Sequence, residues 1–278
     1  MSTNGPHPSK TQRREAARAE SLALRARQEA ADRRARVVTA SVLGLVVLAL
    51  VAVVGFLVLR QHQDAAASPV ANIPLAQVQS VPSTAQADGG IPVGADRAAG
   101  GKVTDGVPVV AVYVDYMCPY CGQFETVNKD GLEALLAGGK ADLVVHPIAL
   151  LDRSSQGTAY STRAASASAW VADRDPKHWL DFHEALYAHQ PKEQTSGLTN
   201  AQLAALARQA GVPGDVASGI GSGEARRTFG QWVYSATAAV TADPAFQGTP
   251  TITIDGTRWA GSWTEPEALP KAVVAATK

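Results

Sequence analysis

Two cysteines occur in this 278-residue chain, and they stand three apart in Cys118-Pro119-Tyr120-Cys121. Three chemistries compete for such a pair. A structural zinc ion needs four ligands, and one Cys-x-x-Cys supplies two of them. His146, His178, His183 and His189 are not spaced as a partner pair. A purely structural disulfide would close a very short loop and stabilise little. Redox chemistry is the third, and the flanking sequence favours it. The pair follows a β-branched run and opens a helical pattern, and helix N-termini present unpaired N–H groups with a partial positive charge. A Cys118 thiolate placed there should titrate well below the free value of about 8.5. Pro119 suits the first helical turn, where its missing N–H costs nothing. Cys121, one turn on, would lie within bonding reach of Cys118 and be less exposed. The first sulfur would then meet a substrate and the second resolve the mixed disulfide. Asp115 is the nearest carboxylate. It either passes protons to Cys121 or closes a strand-end turn.

The elements around the pair can be read from periodicity. Val109–Val114 (VVAVYV) is a continuous apolar run of the kind expected for a strand buried on both faces. Phe124, Val127, Leu132, Leu135 and Leu136 then recur at helical spacing up to Gly138-Gly139, with Asn128 and Gly131 suggesting a kink or break. Residues 142–148 (DLVVHPI) read as the next strand, which makes a β-α-β unit with parallel strands. Residues 152–243 carry no convincing strand pattern and read as a block of helices over 157–172, 177–190, 199–210 and 224–241. Within it, Gly219-Ile-Gly-Ser-Gly223 is a weak phosphate-loop lookalike with no strand before it, and it reads as a helix connection. Strand character returns at Thr251–Ile254, turns at Asp255-Gly256 and continues to Ala260. Thr264 and Glu267 are spaced as a capping box for a last helix. Trp170, Trp179, Trp232, Trp259 and Trp263 fit core positions better than a substrate platform.

Charge and hydropathy organise the remainder. Lys plus Arg equals Asp plus Glu at 25 each, so net charge is zero, and no basic stripe in the C-terminal two thirds points to nucleic acid. Residues 1–36 hold nine Lys and Arg against four acids, whereas residues 61–96 hold no Lys or Arg. Between them, Val37–Leu59 is 23 residues without a charge. As a helix it would reach about 35 Å, enough for a hydrocarbon core of about 30 Å. A cleaved signal peptide is the rival reading, with Ala65-Ala66-Ala67 as a small-residue site, but the apolar run is longer than signal peptides use. The absence of a Cys near its end excludes a lipoprotein cleavage site. Basic flanks stay in the cytoplasm, so the segment reads as a single-pass signal anchor in the cell membrane. The N-terminus would be cytoplasmic and both cysteines extracytoplasmic, where disulfides persist. The expected organisation is a basic cytoplasmic segment over 1–36, disordered over 1–9 and helical over 10–36, the anchor over 37–59, a disordered spacer over 60–106 with ends roughly 40 Å apart, and a folded domain over 107–278.

Residues 112–125 (VYVDYMCPYCGQFE) resemble the active-site segment of bacterial DsbA-like disulfide oxidoreductases of the thioredoxin superfamily. The resemblance extends to Gly248-Thr249-Pro250-Thr251 and covers roughly residues 107–278. It implies an α/β thioredoxin-like fold with an inserted helical domain over about 152–243, Cys118 and Cys121 as the redox pair, and Pro119 and Tyr120 as the dipeptide that tunes it. It also implies that Pro250 is cis and that Thr249 and Pro250 face the active-site disulfide as the substrate loop. One departure stands out. Many thioredoxin-like proteins hold a buried acid six residues before the first cysteine, where this chain has Val112. The function expected is thiol–disulfide interchange without cofactor or metal, most simply oxidation of cysteine pairs in exported proteins, with a membrane redox partner for turnover. A tethered reductase or isomerase of the same fold, and a zinc or redox sensor module, are the alternatives.

Overall fold

A computed structural model describes residues 38–55 and 73–276 except Ala245, together with seven residues between Arg18 and Arg36. The chain divides into two compact units, Met1–Ala65 and Ala66–Lys278. In the first, Val38–Gly55 is an unbroken helix (α1), with a mean hydropathy of 2.7 and side chains open to the surroundings. By length and composition it can cross a membrane. Val37 and residues 56–59 of the expected anchor lie outside the described residues, as does most of the basic segment, whose described members Arg18, Arg25, Arg27, Gln28, Arg33, Arg34 and Arg36 are helical.

The second unit is a thioredoxin-like α/β fold. Its strands are β1 (Ile91–Val93), β2 (Val109–Val114), β3 (Asp142–Pro147), β4 (Thr251–Ile254) and β5 (Thr257–Arg258), ordered β1-β3-β2-β4-β5 in one sheet. Only β2 and β3 run parallel, as their joining helix α2 (Pro119–Ala137) requires. Five helices separate β3 from β4: α3 (Tyr160–Arg174), α4 (Trp179–Ala188), α5 (Asn200–Gln209), α6 (Gly214–Gly221) and α7 (Glu224–Thr241). A last helix, α8 (Ala268–Ala276), packs on α2. Within the insertion, α3 is the hub: thirteen of its residues from Tyr160 to Ala172 are buried, and small side chains let α7 and α4 approach it closely. Trp170, Trp179 and Trp232 lie in this core, as expected, while Trp259 and Trp263 pack on it partly buried. Asp255 and Gly256 both adopt positive φ, the geometry a two-residue hairpin demands.

The structure corrects the sequence reading in several places. The spacer expected over 60–106 is folded from Ile73 onward. Ile91, fully buried, begins an edge strand against β3. Ser83 N donates to Asp173 (2.8 Å), Thr104 N to Asp142 (2.5 Å), and Arg97 pairs with Asp181 (2.8 Å), Glu184 (2.5 Å) and Glu133. A three-residue strand with a central proline has no period to detect, and an edge position tolerates Pro92 because only one side of the strand is paired. β2 is not buried on both faces: Val110, Val112 and Val114 are buried and their neighbours are half-buried. The helix α6 was not expected, and Gly219–Gly221 belong to it rather than to a connection. A side chain at Gly219 would collide with the Trp170 indole, so glycine is there for packing. The expected capping box fails too. Thr264 pairs with Ser262 (2.8 Å), and Glu267 sits at positive φ just before α8.

No break occurs in α2. Asn128 is buried, and its amide donates to the carbonyls of Phe124 (3.0 Å) and Trp263 (2.9 Å). Gly131 lets α8 approach: a Cβ there would lie 2.7 Å from Pro270 Cγ, an atom of a rigid ring. Gly131→Ala therefore sets two effects against each other. Helix propensity favours alanine by about 1 kcal/mol, and overpacking costs about 1–3 kcal/mol. Because the proline ring cannot swing aside, the steric cost should win, and thermal unfolding should show Gly131→Ala melting below wild type.

Candidate active site

β2 runs out at Val114, and the chain turns through Asp115, Tyr116 and Met117 before α2 begins. Cys118 occupies the N-cap of α2 in an extended conformation, with Pro119 inside the first turn. The turn is closed by Cys118 N donating to Asp115 O (3.0 Å), and the helix ladder starts with Cys121 N (3.0 Å) and Gly122 N (3.2 Å) donating to Cys118 O. β4 lies antiparallel beside β2, with Thr251 opposite Tyr113. That register carries the residues just before β4 to the mouth of the turn, where the Thr249–Pro250 peptide is cis. The Cys118 thiol donates to the Thr249 carbonyl at 3.3 Å, across 131 residues of sequence. The structure therefore brings Cys118, Cys121, Thr249 and Pro250 together. Both cysteines are thiols, Cys118 5% exposed and Cys121 1%. Pro119 and Tyr120 are exposed beside them.

The two thiols ionise differently. Cys118 falls from the ordinary thiol range to about 6, first because the Cys121 thiol donates to it. Burial opposes this, while the Thr249 side chain and the backbone N–H groups of Cys121 and Tyr120 add to it. Thus the helix N-terminus contributes as expected, but the partner thiol contributes more. On ionising, Cys118 gives up its bond to the Thr249 carbonyl and keeps its donors. Cys121 is pushed well above the ordinary range by burial and then by its bond to Cys118. One sulfur is thus poised as the anion and the other as the proton donor.

Asp115 is fully buried, and its carboxylate accepts four hydrogen bonds. Met117 N (2.8 Å) and Ser161 Oγ (2.8 Å) donate to Oδ1; Leu150 N (2.8 Å) and Leu151 N (2.9 Å) donate to Oδ2. Burial raises its pKa to about 6 against the pull of these donors. With each oxygen taking two donors, the carboxylate has little lone-pair capacity left for proton transfer. Its bonding instead ties the active-site turn to the segment after β3 and to α3, which supports the turn-closing reading over the shuttle. Sequence reasoning missed the residues that complete this frame. Ser161 is one. Tyr187, whose hydroxyl reaches Asp115 O at 3.5 Å, is another. Gln190, whose amide donates to Cys118 O (2.8 Å) and Tyr116 O (3.2 Å), is a third. Tyr116 itself is buried with its hydroxyl between Ser168 Oγ (2.8 Å) and His183 Nδ1 (2.9 Å). These partners lie 46–74 residues from the turn residues they bond, and a capped helical pattern carries no signal for them.

Removing the Asp115 carboxylate should expose the cost of this frame. Asp115→Ala leaves three backbone N–H groups and the Ser161 hydroxyl without their acceptor in a buried site, at about 1–3 kcal/mol for each unmatched group. Even with half of them re-paired, unfolding by urea should show a loss of roughly 3 kcal/mol or more. Asp115→Asn should also destabilise, because its amide N–H groups would face two donors.

The chain is similar to a protein family and to several solved structures. A family model described as thioredoxin matches residues 101–273. The MdbA protein of Actinomyces oris, a thiol-disulfide oxidoreductase, superposes with a TM-score of 0.58 at 25% identity, covering 74% of this chain and 95% of that one. Reduced DsbG of Mycobacterium tuberculosis gives a TM-score of 0.52 at 29% identity, covering 68% and 93%. Oxidised DsbA of the same organism gives 0.51 at 28% identity, covering 68% and 100%. Among curated sequences, the serine/threonine-protein kinase PknE of Mycobacterium tuberculosis is 34% identical over 118 residues, 41% of this chain. The match spans 21% of that kinase's length.

Proposed function

The chain belongs to the thioredoxin family, and from this premise we propose that it is a membrane-anchored thiol–disulfide oxidoreductase that oxidises cysteine pairs of exported proteins. The observation that carries the reading is the split between the two sulfurs: Cys118 is lowered to about 6 at the N-cap of α2, and Cys121 is raised and buried behind it. In the oxidised enzyme, a substrate thiolate attacks Cys118 Sγ, the Cys118–Cys121 bond breaks, and Cys121 leaves and takes a proton. The second substrate thiolate then attacks the substrate sulfur of the mixed disulfide and expels Cys118 as a thiolate. Two electrons pass from substrate to enzyme, and a membrane redox partner must remove them. A low-pKa leaving group speeds the second step and makes the couple oxidising. Thr249, Pro250 and the exposed Tyr120 form the surface a substrate would meet. The reaction needs no cofactor beyond the two sulfurs. In the competing reductase reading the same atoms run backwards, and the lowered Cys118 argues against it because it stabilises the dithiol.

The roles of the sulfurs separate in cells. Cys121→Ser should accumulate mixed disulfides with exported proteins on non-reducing gels, and Cys118→Ser should not. Equal trapping by both would overturn the assignment. The direction of the reaction is read from stability. Folding lowers the Cys118 pKa, so its stabilisation of the reduced form is complete above the ordinary thiol value of about 8.5. It is lost as pH falls through about 6. The reduced chain in detergent should accordingly melt above the oxidised chain at pH 8, and the gap should shrink toward pH 6. An oxidised form that melts higher at pH 8 would assign the protein to the reductases.

Placement outside the cytoplasm rests on α1 and its basic N-terminal flank. A reporter fused after Lys278 that works only outside the cytoplasm should be active, and activity of a cytoplasm-dependent reporter there would reverse the topology.

A further inference from the structure

Gln190 lies two residues beyond the end of α4, on the loop that leads to α5, and so belongs to the helical insertion. Its side chain crosses to the active-site turn. Nε2 donates to Cys118 O at 2.8 Å and to Tyr116 O at 3.2 Å. Both partners are carbonyls, so the amide must point its nitrogen at them, and both of its N–H groups are committed. The Cys118 carbonyl that starts the α2 ladder is thus held by Cys121 N and Gly122 N from the helix and by Gln190 from outside it. A second observation makes this a built arrangement. A Cβ on Gly122 would collide with Gln190 Oε1 and lie 3.3 Å from Cδ. Gly122 sits inside a helix, without the positive φ that calls for glycine and at a cost in helix propensity. The room it leaves is what seats Gln190.

We propose that Gln190 is a positioning residue for Cys118, through which the helical insertion holds the active-site turn in its thiolate-stabilising shape and so sets the oxidising strength of the pair. The inference rests on the redox reading above and adds to it the residue that tunes the couple from outside the Cys-Pro-Tyr-Cys motif. Besides the Thr249 side chain, the Cys118 anion depends on three donors aimed at one sulfur, the Cys121 thiol and the Cys121 and Tyr120 N–H groups. All of them pivot on the first turn of α2. With the carbonyls of Tyr116 and Cys118 clamped to one amide, that turn cannot open without breaking a bond to Gln190. The positive end of the amide also faces the peptide group of the reacting residue. Loss of Gln190 loosens the aim and removes that dipole, and both changes disfavour the thiolate. Gly122→Ala should do the same without touching Gln190. Its methyl displaces Oε1, and because both N–H groups are committed the amide cannot pivot and keep its two bonds.

The test uses the full-length reduced chain in detergent. The rate of iodoacetamide alkylation at Cys118, read by mass spectrometry across pH, reports its ionisation, and equilibration with glutathione reports the potential. Gln190→Ala should raise the alkylation midpoint by about 0.5–1 unit and make the couple less oxidising. Gln190→Glu should raise it further, because a carboxylate cannot donate to either carbonyl and adds negative charge. Gly122→Ala should reproduce the Gln190→Ala shift with an unchanged or higher melting temperature, since alanine suits the helix better. The double variant should shift no more than the larger single one, because both changes break the same contact. Midpoints equal to wild type in Gln190→Ala or Gly122→Ala, or shifts that add in the double variant, would overturn the proposal. So would a lower melting temperature with no change of midpoint. A wild-type Cys118 that titrates as an ordinary thiol and never equilibrates with glutathione would instead sink the redox reading itself, and this inference with it.

Discussion

The site turns on one requirement: a sulfur anion must be stable where little water reaches it. Cys118 is only 5% exposed, so its charge has to be met by protein donors held in place beforehand. Those donors come from the first turn of α2, from the Cys121 thiol and from Thr249. The sheet exists, from this point of view, to bring the last of these to the first two. β2 delivers the turn and β4 delivers Thr249, and their antiparallel register, with Tyr113 opposite Thr251, sets how the two chain ends meet. Burial raises Cys121, and the bond between the two sulfurs that lowers Cys118 raises Cys121 further, because a proton shared between two thiols must favour one of them.

The helical insertion is part of the site rather than an ornament on the sheet. Asp115, at the C-terminal end of β2, accepts from Ser161 on α3 and from the two residues that lead out of β3. Tyr187 and Gln190 reach the same turn from α4 and from the loop beyond it. A second tie lies farther along α2, where Arg97 and Lys129 share Glu184 of α4. Polar links such as those of Asp115, buried at the turn, stabilise less than apolar packing of equal area, but they are intolerant of misalignment. That intolerance suits a turn whose donors have to stay aimed at one sulfur.

The folded unit is larger than the family match suggests. The match begins at residue 101, yet Ile91–Val93 completes the sheet and Leu75 and Val78 pack on the core. Residues 73–108 therefore contribute an edge strand and a set of cross-links before β2 begins.

Local pattern carried a good part of this protein into view. The apolar run of α1, the β-α-β order around Cys118, four of the five helices of the insertion and the Asp255-Gly256 hairpin each express a period or a turn signal within a window of a few residues. Backbone sterics and solvent exclusion act over that range. The place of the cysteine pair at a helix start was legible for the same reason, since strand, cysteine and helix are consecutive. Tertiary structure decided what depends on chain segments meeting. Asp115 became a four-fold acceptor only when Ser161, 46 residues on, came within 2.8 Å. Gly131 and Asn128, which look like helix breakers in sequence, are where α2 meets α8 and the Trp263 carbonyl. β1 was hidden because three residues flanked by glycine show no period, and pairing with β3 alone makes them a strand. Gln190 was invisible because a polar residue on a loop has no local signature. Its meaning comes from two carbonyls 72 and 74 residues away and from the space above one glycine, and only the packed fold brings these together.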